Sequence, residues 1–269
     1  ELLQQVRQEL GLDRPWVVQY GLWLGGLFQG DFGYSYWEKR PVWHILRERF
    51  PRSLELAFLT LVIAMAWAVP LGVISAAKRD TWVDHTARVL SISGLSLPIF
   101  FIGVLILFFL VRYFRWMPPL EFASLWANPT ENLKQLIWPA LAQAYYISAP
   151  VTRLTRSQML EVIREDYIRT ARAKGLREFL VLYRHALRNA LLPVVTFLGW
   201  WGGRVLGGIV VMETIFAVPG MGLGIIEAVS HRDYPTVQAL ILVMALVFLV
   251  INLLVDLLYA WLDPRIHYA

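Results

Sequence analysis

Residues 161–193 read EVIREDYIRTARAKGLREFLVLYRHALRNALLP. This is the longest strongly charged run in a chain that is otherwise mostly apolar. Arg164, Arg169, Arg172, Lys174, Arg177, Arg184 and Arg188 stand against Glu161, Glu165, Asp166 and Glu178. Apolar residues recur at helical spacing on both sides of Gly175. Ile163, Tyr167 and Ala171 precede it, and Leu176, Leu180, Tyr183 and Leu187 follow. The spacing predicts two short amphipathic helices with a break between them. Lys174 falls in the last turn of the first helix, and Gly175 takes the left-handed position that ends it.

The sequence on either side is of a different kind. Of 269 residues, 57% are hydrophobic and only 17% charged, where soluble domains carry about 25% charged residues. Mean hydropathy is +0.51. These values describe an all-α, polytopic membrane protein. Five spans are predicted, at about 54–77, 89–111, 136–152, 189–212 and 236–262. The residues before them, 1–53, form a separate segment. From Pro15 to Gly30 it runs 16 residues without charge, short of the roughly 20 that a span needs. Its dense aromatics (Trp16, Tyr20, Trp23, Phe28) predict an interfacial helix and loop.

Charge sets the orientation. The 153–188 loop holds nine Lys or Arg, the 113–135 loop two, and the 213–235 loop one. Lysine- and arginine-rich loops remain in the cytoplasm, so 153–188 and the C-terminus are predicted inside. Segment 1–53 and the other two loops are predicted outside. The net charge of +5 is concentrated in the 153–188 loop and gives no nucleic-acid signal. There is no cysteine, so neither a disulfide framework nor a thiolate metal site is available. The five histidines are scattered, without metal-ligand spacing. Gly220-x-Gly222-x-Gly224 is not a dinucleotide fingerprint, because its third glycine comes one residue early and no strand precedes it.

YIRTARAKG followed by RHALRNALLPV resembles the cytoplasmic coupling loop of binding-protein-dependent ABC importer permeases, of the dipeptide/oligopeptide/nickel branch. The general superfamily signature is matched poorly: only Ala171 of Arg169-Thr170-Ala171 agrees with its Glu-Ala-Ala, and Leu192-Pro193 falls five residues late. The peptide-branch version is matched closely. Asp31-Phe32-Gly33-x-Ser35 and Arg49-x-Pro51 extend the resemblance into segment 1–53. The resemblance implies the type I ABC importer transmembrane fold, with one further span expected upstream of Glu1. It implies a bacterial inner-membrane subunit that holds no cofactor, ATP and Mg²⁺ being bound by partner chains. Those partners would be a second homologous permease, two ATPases and an extracytoplasmic solute-binding protein. Arg169, Thr170, Ala171, Arg172, Ala173, Lys174, Gly175 and Leu176 would form the ATPase-coupling loop.

Arg204 is the most costly residue inside a predicted span, at about 2.5–3.5 kcal/mol on insertion scales. It either lines the translocation path or gate or makes a structural pair, for which Glu213 and Glu55 lie at suitable depth. Residues 212–224, METIFAVPGMGLG, are too rich in Gly and Pro to continue a span. They read as a turn anchored by Phe216. The resemblance makes them an extracellular loop closing the outer mouth, which adds Glu213 and Phe216 to the candidate gate. Gly199, Gly203 and Gly207 recur every four residues and make a smooth face for a neighbouring helix, within this subunit or in a second permease. A stand-alone secondary transporter is the alternative. It would need several ionisable groups near the bilayer midplane, and only Arg204 lies well inside. A membrane-embedded enzyme is disfavoured by the lack of His and carboxylate clusters.

Overall fold

The computed structural model describes residues 13–119 and 121–262. Helix α1 (Trp16–Phe28) is followed by a two-stranded antiparallel hairpin, β1 (Tyr34–Ser35) and β2 (Arg40–Pro41). Then come α2 (Val42–Ala77), α3 (Trp82–Ser96), α4 (Ile99–Phe114) and α5 (Pro129–Val162). The charged run forms α6 (Asp166–Ala173), α7 (Glu178–Leu180) and a π-helical turn over Val181–Ala186. The π turn runs directly into α8 (Leu187–Ile215), and α9 (Met221–Ser230) and α10 (Tyr234–Leu262) are the last of the described elements.

By length and composition, α2 and α10 qualify as membrane spans among the described residues, and up to four spans result if each of two bent helix pairs is one. The first bent pair overlaps the predicted 89–111 span, which is not a continuous helix. The chain turns by 104° between α3 and α4. Pro98 supplies no backbone N–H and forces Leu97 into extended geometry (φ −95°, ψ 135°), so the helix must stop there. The second is the stretch from α7 into α8, bent by 49° near Gly199–Trp201.

Helix α5 is twice the length expected from 136–152. Asn128 caps it by accepting from Glu131 N–H, and Pro129 occupies the first turn, where no N–H is needed. Its polar residues hid its extent. Asn132, Gln135, Gln143, Thr152 and Thr155 are all buried, and they are buried in protein, because α2, α3, α4 and α8 pack around this helix. The tightest crossing is with α2. A Cβ at Gly72 would lie 2.6 Å from Thr155 Cβ and 2.9 Å from the Thr152 carbonyl oxygen. Helix α10 is the opposite case: only 6% of its span window is buried within this chain, and it is apolar on all sides, as a membrane span can be.

Helix α2 ties the two ends of the bundle together. At 36 residues it is about 54 Å long and overshoots a hydrocarbon core of about 30 Å. The sequence boundary at residue 53 therefore falls inside a continuous helix. Near its start, Val42 and Leu46 pack with Met221, Ala239 and Leu240. Near its end, Val73 and Ala76 pack with Met159, Ile168, Val181 and Ala186. Leu46 and Val73 are about 40 Å apart along the axis, so these clusters lie at opposite ends.

Replacing Gly72 by Val should force α2 and α5 apart. Overpacking of this kind costs about 1–3 kcal/mol, to be read as a lower unfolding midpoint of the detergent-solubilised protein. Gly21→Val, where an added Cβ meets nothing within 4 Å, is the control.

Candidate functional site

The charged run forms a small helix pinned to the end of the bundle. Ile168 and Ala171 of α6 are buried in the cluster that contains Val73, Ala76, Met159, Val181, Leu182, Ala186 and Ala190. Arg169, Thr170, Arg172, Ala173, Lys174 and Leu176 are exposed. Helix α6 ends where Lys174 N–H bonds Thr170 O at 3.0 Å and Gly175 N–H bonds Arg172 O at 2.9 Å. Gly175 has φ +75°, and a Cβ there would meet nothing within 4 Å. The position therefore needs glycine for its backbone conformation and not for space. Arg172 reaches across the turn to Glu178, with Nη2 at 2.7 Å and Nε at 3.2 Å. That carboxylate raises the pKa of the Arg172 guanidinium. Asn189 Nδ2 donates to the Tyr167 hydroxyl at 2.7 Å, joining α6 to the start of α8.

The buried face differs from the one the spacing predicts. Tyr167 is exposed and Ile168 is buried; beyond Gly175, Leu176 and Leu180 are exposed and Val181, Leu182 and Ala186 are buried. Over Val181–Ala186 the π turn winds more residues per turn than an α-helix, which shifts the inward face there out of the 3.6-residue register; the exchange of Tyr167 for Ile168 lies before it, in α6.

At the other end, residues 213–224 clamp onto the start of α2. Glu213 is fully buried; it accepts the Ser53 hydroxyl proton and, at 3.0 Å, the Leu223 N–H. Ser53 Oγ in turn accepts Met221 N–H at 2.8 Å. Arg52 donates to Pro219 O at 3.1 Å, and Arg49 bonds Glu227 at 2.7 Å. The glycines permit this closeness. A Cβ at Gly220 would fall 2.1 Å from Glu213 Oε1, at Gly222 2.5 Å from Val210 Cα, and at Gly224 2.9 Å from the Arg49 side chain. The hairpin closes the same end: Ser35 Oγ–H and Thr236 Oγ1–H both donate to buried Asp233, and the Trp37 and His231 rings stack at 3.5 Å.

A cavity of about 540 Å³ lies where the α3–α4 elbow meets α5 and α8. Leu95, Pro98, Gln143, Tyr146, Arg204 and Gly207 are among its lining residues. Gln143 is buried and donates from Nε2 to Val205 O at 2.8 Å. Its Oε1 has no hydrogen-bond partner among the described residues, and a buried acceptor left so costs about 1–3 kcal/mol. Gly208 makes room for this amide, since a Cβ there would lie 2.9 Å from Gln143 Nε2.

Of the three candidate path residues, only Arg204 lines this cavity. Glu213 is turned away, holding the N-terminal N–H groups of α9, where a carboxylate is favoured by the helix dipole. Phe216 is buried beside Trp116, with ring centroids 6.4 Å apart, as part of the main core. The acids considered as partners for Arg204 hydrogen-bond elsewhere, Glu213 as above and Glu55 with Asn132 at 2.9 Å. The glycine stripe divides. Gly199 and Gly203 seat Val255 and Phe248 of α10, whereas a Cβ on Gly207 would enter open space.

The sequence matches the family described as binding-protein-dependent transport system inner membrane component over residues 68–268, and the N-terminal part of such components over residues 1–57. The chain belongs to this family. It is 37% identical over 292 residues to the dipeptide transport system permease protein DppB of Alkalihalophilus pseudofirmus, covering 100% of this chain and 86% of that one. It is 40% identical over 267 residues to the glutathione transport system permease protein GsiC of Pectobacterium atrosepticum, covering 99% and 85%. Among solved structures it resembles an amino acid ABC transporter crystallised with histidines, at TM-score 0.59 and 16% identity over 80% of this chain and 92% of that one. That likeness is one of fold. This permease is thus a multi-pass inner-membrane subunit of an ABC system. It performs no catalysis, holds no cofactor, and depends on ATPase and binding-protein partners.

One feature of the permease was not read from sequence. Asp84, fully buried, accepts from Arg156 at 2.7 and 2.8 Å, from Ser75, and from Asp80 N–H at 3.1 Å. Arg156, one of the nine loop cations, is spent inside the fold. A lone acid in the first turn of α3 was the available signal. Breaking a buried pair costs about 3–5 kcal/mol, so Asp84→Asn should markedly lower the thermal midpoint of the solubilised permease, and Lys78→Gln on the exposed turn should not.

Proposed function

We propose that this chain is one of two homologous permeases that together enclose the path of an ATP-driven importer for di- or oligopeptides. Five spans form its share of the bundle: α2 from Leu54 onward, the bent α3–α4 pair, α5, α8 and α10. The 153–188 loop and the C-terminus face the cytoplasm, and the hairpin and the 213–235 loop face outward to the binding protein. The names of the relatives, a dipeptide permease and a glutathione permease, support the substrate class. The cavity bearing Arg204 is part of the path.

One observation carries the coupling role. Helix α6 is fastened to the bundle by Ile168 and Ala171 and presents Arg169, Arg172 and Lys174 to solvent. A soluble partner that grips α6 therefore pushes directly on the ends of α2 and α5, through Val73, Ala76 and Met159. Two ATPases closing on ATP would move one such helix on each permease.

Gly175→Val tests this. A left-handed backbone costs a β-substituted residue about 1–2 kcal/mol, so the turn should re-form and ATP-dependent uptake should fall about tenfold or more in proteoliposomes holding the whole transporter. The variant should still insert into the membrane. Unchanged uptake would sink the coupling role. Orientation has its own test. The chain has no cysteine, so Arg177→Cys introduces a single thiol. In intact cells a membrane-impermeant maleimide should leave it unlabelled, and after permeabilisation it should react.

A further inference from the structure

A second cavity, of about 390 Å³, lies where α5 and α10 flank the first turns of α8. Three polar side chains line it, Thr196 of α8 and Asn252 and Asp256 of α10. Leu154, Pro193 and Val255 are among its apolar residues, and no lysine or arginine lines it. Asn252 and Asp256 stand one helical turn apart, where side chains are neighbours, yet neither has a hydrogen bond or ion pair within the described chain. Asp256 is exposed and Asn252 half-buried, so both can be reached. The Thr196 hydroxyl donates to Leu192 O at 3.1 Å, which leaves its oxygen an acceptor. Asp256 falls inside the apolar stretch of α10 that qualifies as a span, Tyr234–Leu257, at about 33 Å along the axis from Tyr234. A hydrocarbon core is about 30 Å thick, so the carboxylate lies near headgroup level, at the end of the bundle opposite the hairpin. An ionisable side chain within a span by default marks a functional site.

We propose that this cavity binds a primary ammonium group, with Asp256 supplying the charge and Asn252 Oδ1 and Thr196 Oγ1 the further acceptors. A primary ammonium carries three N–H donors and no acceptor, which complements three acceptors with no competing cation beside them. Its hydrogen bonds to a carboxylate are charge-assisted and so among the strong ones. The same set is too small for a hard divalent cation, which takes six or more oxygen ligands. The apolar wall accommodates the chain to which the ammonium is attached. Two molecules offer such a group at this depth. One is a transported peptide, through its amino terminus, and that source rests on the importer reading above. The other is an aminophospholipid, through its headgroup. Both present the same chemistry to Asp256.

The test uses the complete complex of permeases and ATPases, free of nucleotide and without binding protein. In one arm, equilibrium binding of Ala-Ala is compared with that of N-acetyl-Ala-Ala in nanodiscs of phosphatidylcholine, whose quaternary ammonium has no N–H to give. In the other, the complex is held in an equal mixture of phosphatidylethanolamine and phosphatidylcholine, and the lipid retained through delipidation is measured by mass spectrometry. A peptide site shows as tighter binding of Ala-Ala by about tenfold or more, as a charge-assisted hydrogen bond implies. A lipid site shows as selective retention of phosphatidylethanolamine. Whichever preference appears should be lost in Asp256→Asn, kept in part in Asp256→Glu and weakened in Thr196→Val, a pattern that a merely structural carboxylate would not produce. Where Asp256→Asn does not assemble, Thr196→Val decides in its place. Neither preference in the unmodified complex, or one that survives Asp256→Asn, would overturn the site. The importer reading is judged separately, by whether binding protein stimulates ATP hydrolysis in the unmodified complex.

Discussion

A helix too polar to meet lipid must be wrapped in protein, and that constraint organises this fold. Helix α5 carries Asn132, Gln135, Gln143, Thr152 and Thr155 on buried positions. None of them would be tolerated against hydrocarbon without a partner. Asn132 donates to Glu55 and to Ala123 O, Gln135 is satisfied by the backbone around Glu121 and Ala123, and Thr155 bonds back to Val151 O. The surrounding helices come close because small residues let them, with Gly72 of α2, Gly94 of α3 and Gly208 of α8 each approaching α5. The most apolar helices, α4 and α10, lie at the outside of the described bundle. Polar side chains are thereby held in the interior among apolar ones such as Leu136, Ile147 and Val151.

These interior polar groups explain what the sequence disclosed and what it concealed. Long apolar runs announced α2 and α10, because a helix of that length and hydropathy advertises itself by composition. Helix α5 was seen only in part, because polar residues are interspersed on its buried face and its hydropathy resembles that of a soluble helix. The break at Pro98 lay in plain view, but a proline inside an apolar run is compatible with either a kink or a stop. Packing against α5 and α8 decides for a turn of 104°. The break at Gly175 was legible because its conformational demand is local. The face beyond it was misjudged because a π turn leaves no periodic trace.

The candidate gate teaches the same lesson at single residues. Glu213 and Arg204 were both candidate gate residues, and the structure places them differently. Glu213 has a hydroxyl and a helix N-terminus within reach, and GMGLG removes the side chains that would keep them apart. Arg204 sits on the same helix and lines a cavity. Nothing in the one-dimensional pattern separates the two cases, since the distinction depends on Ser53, which is 160 residues away in sequence.

The continuity of α2 has a mechanical consequence. Arg49, Arg52 and Ser53 near its beginning hold the 213–227 segment, and Val73 and Ala76 near its end are packed with α6. One helix joins these attachments, although Pro51 and Pro70 inside it each lack a backbone N–H, and a helix tilts more readily than it shortens. Pivoting by about 10° about its middle would sweep each tip of an about 54 Å helix through nearly 5 Å, in opposite senses. On the proposed coupling role, a push at one end of α2 would arrive at the other as a lateral displacement of the opposite sign.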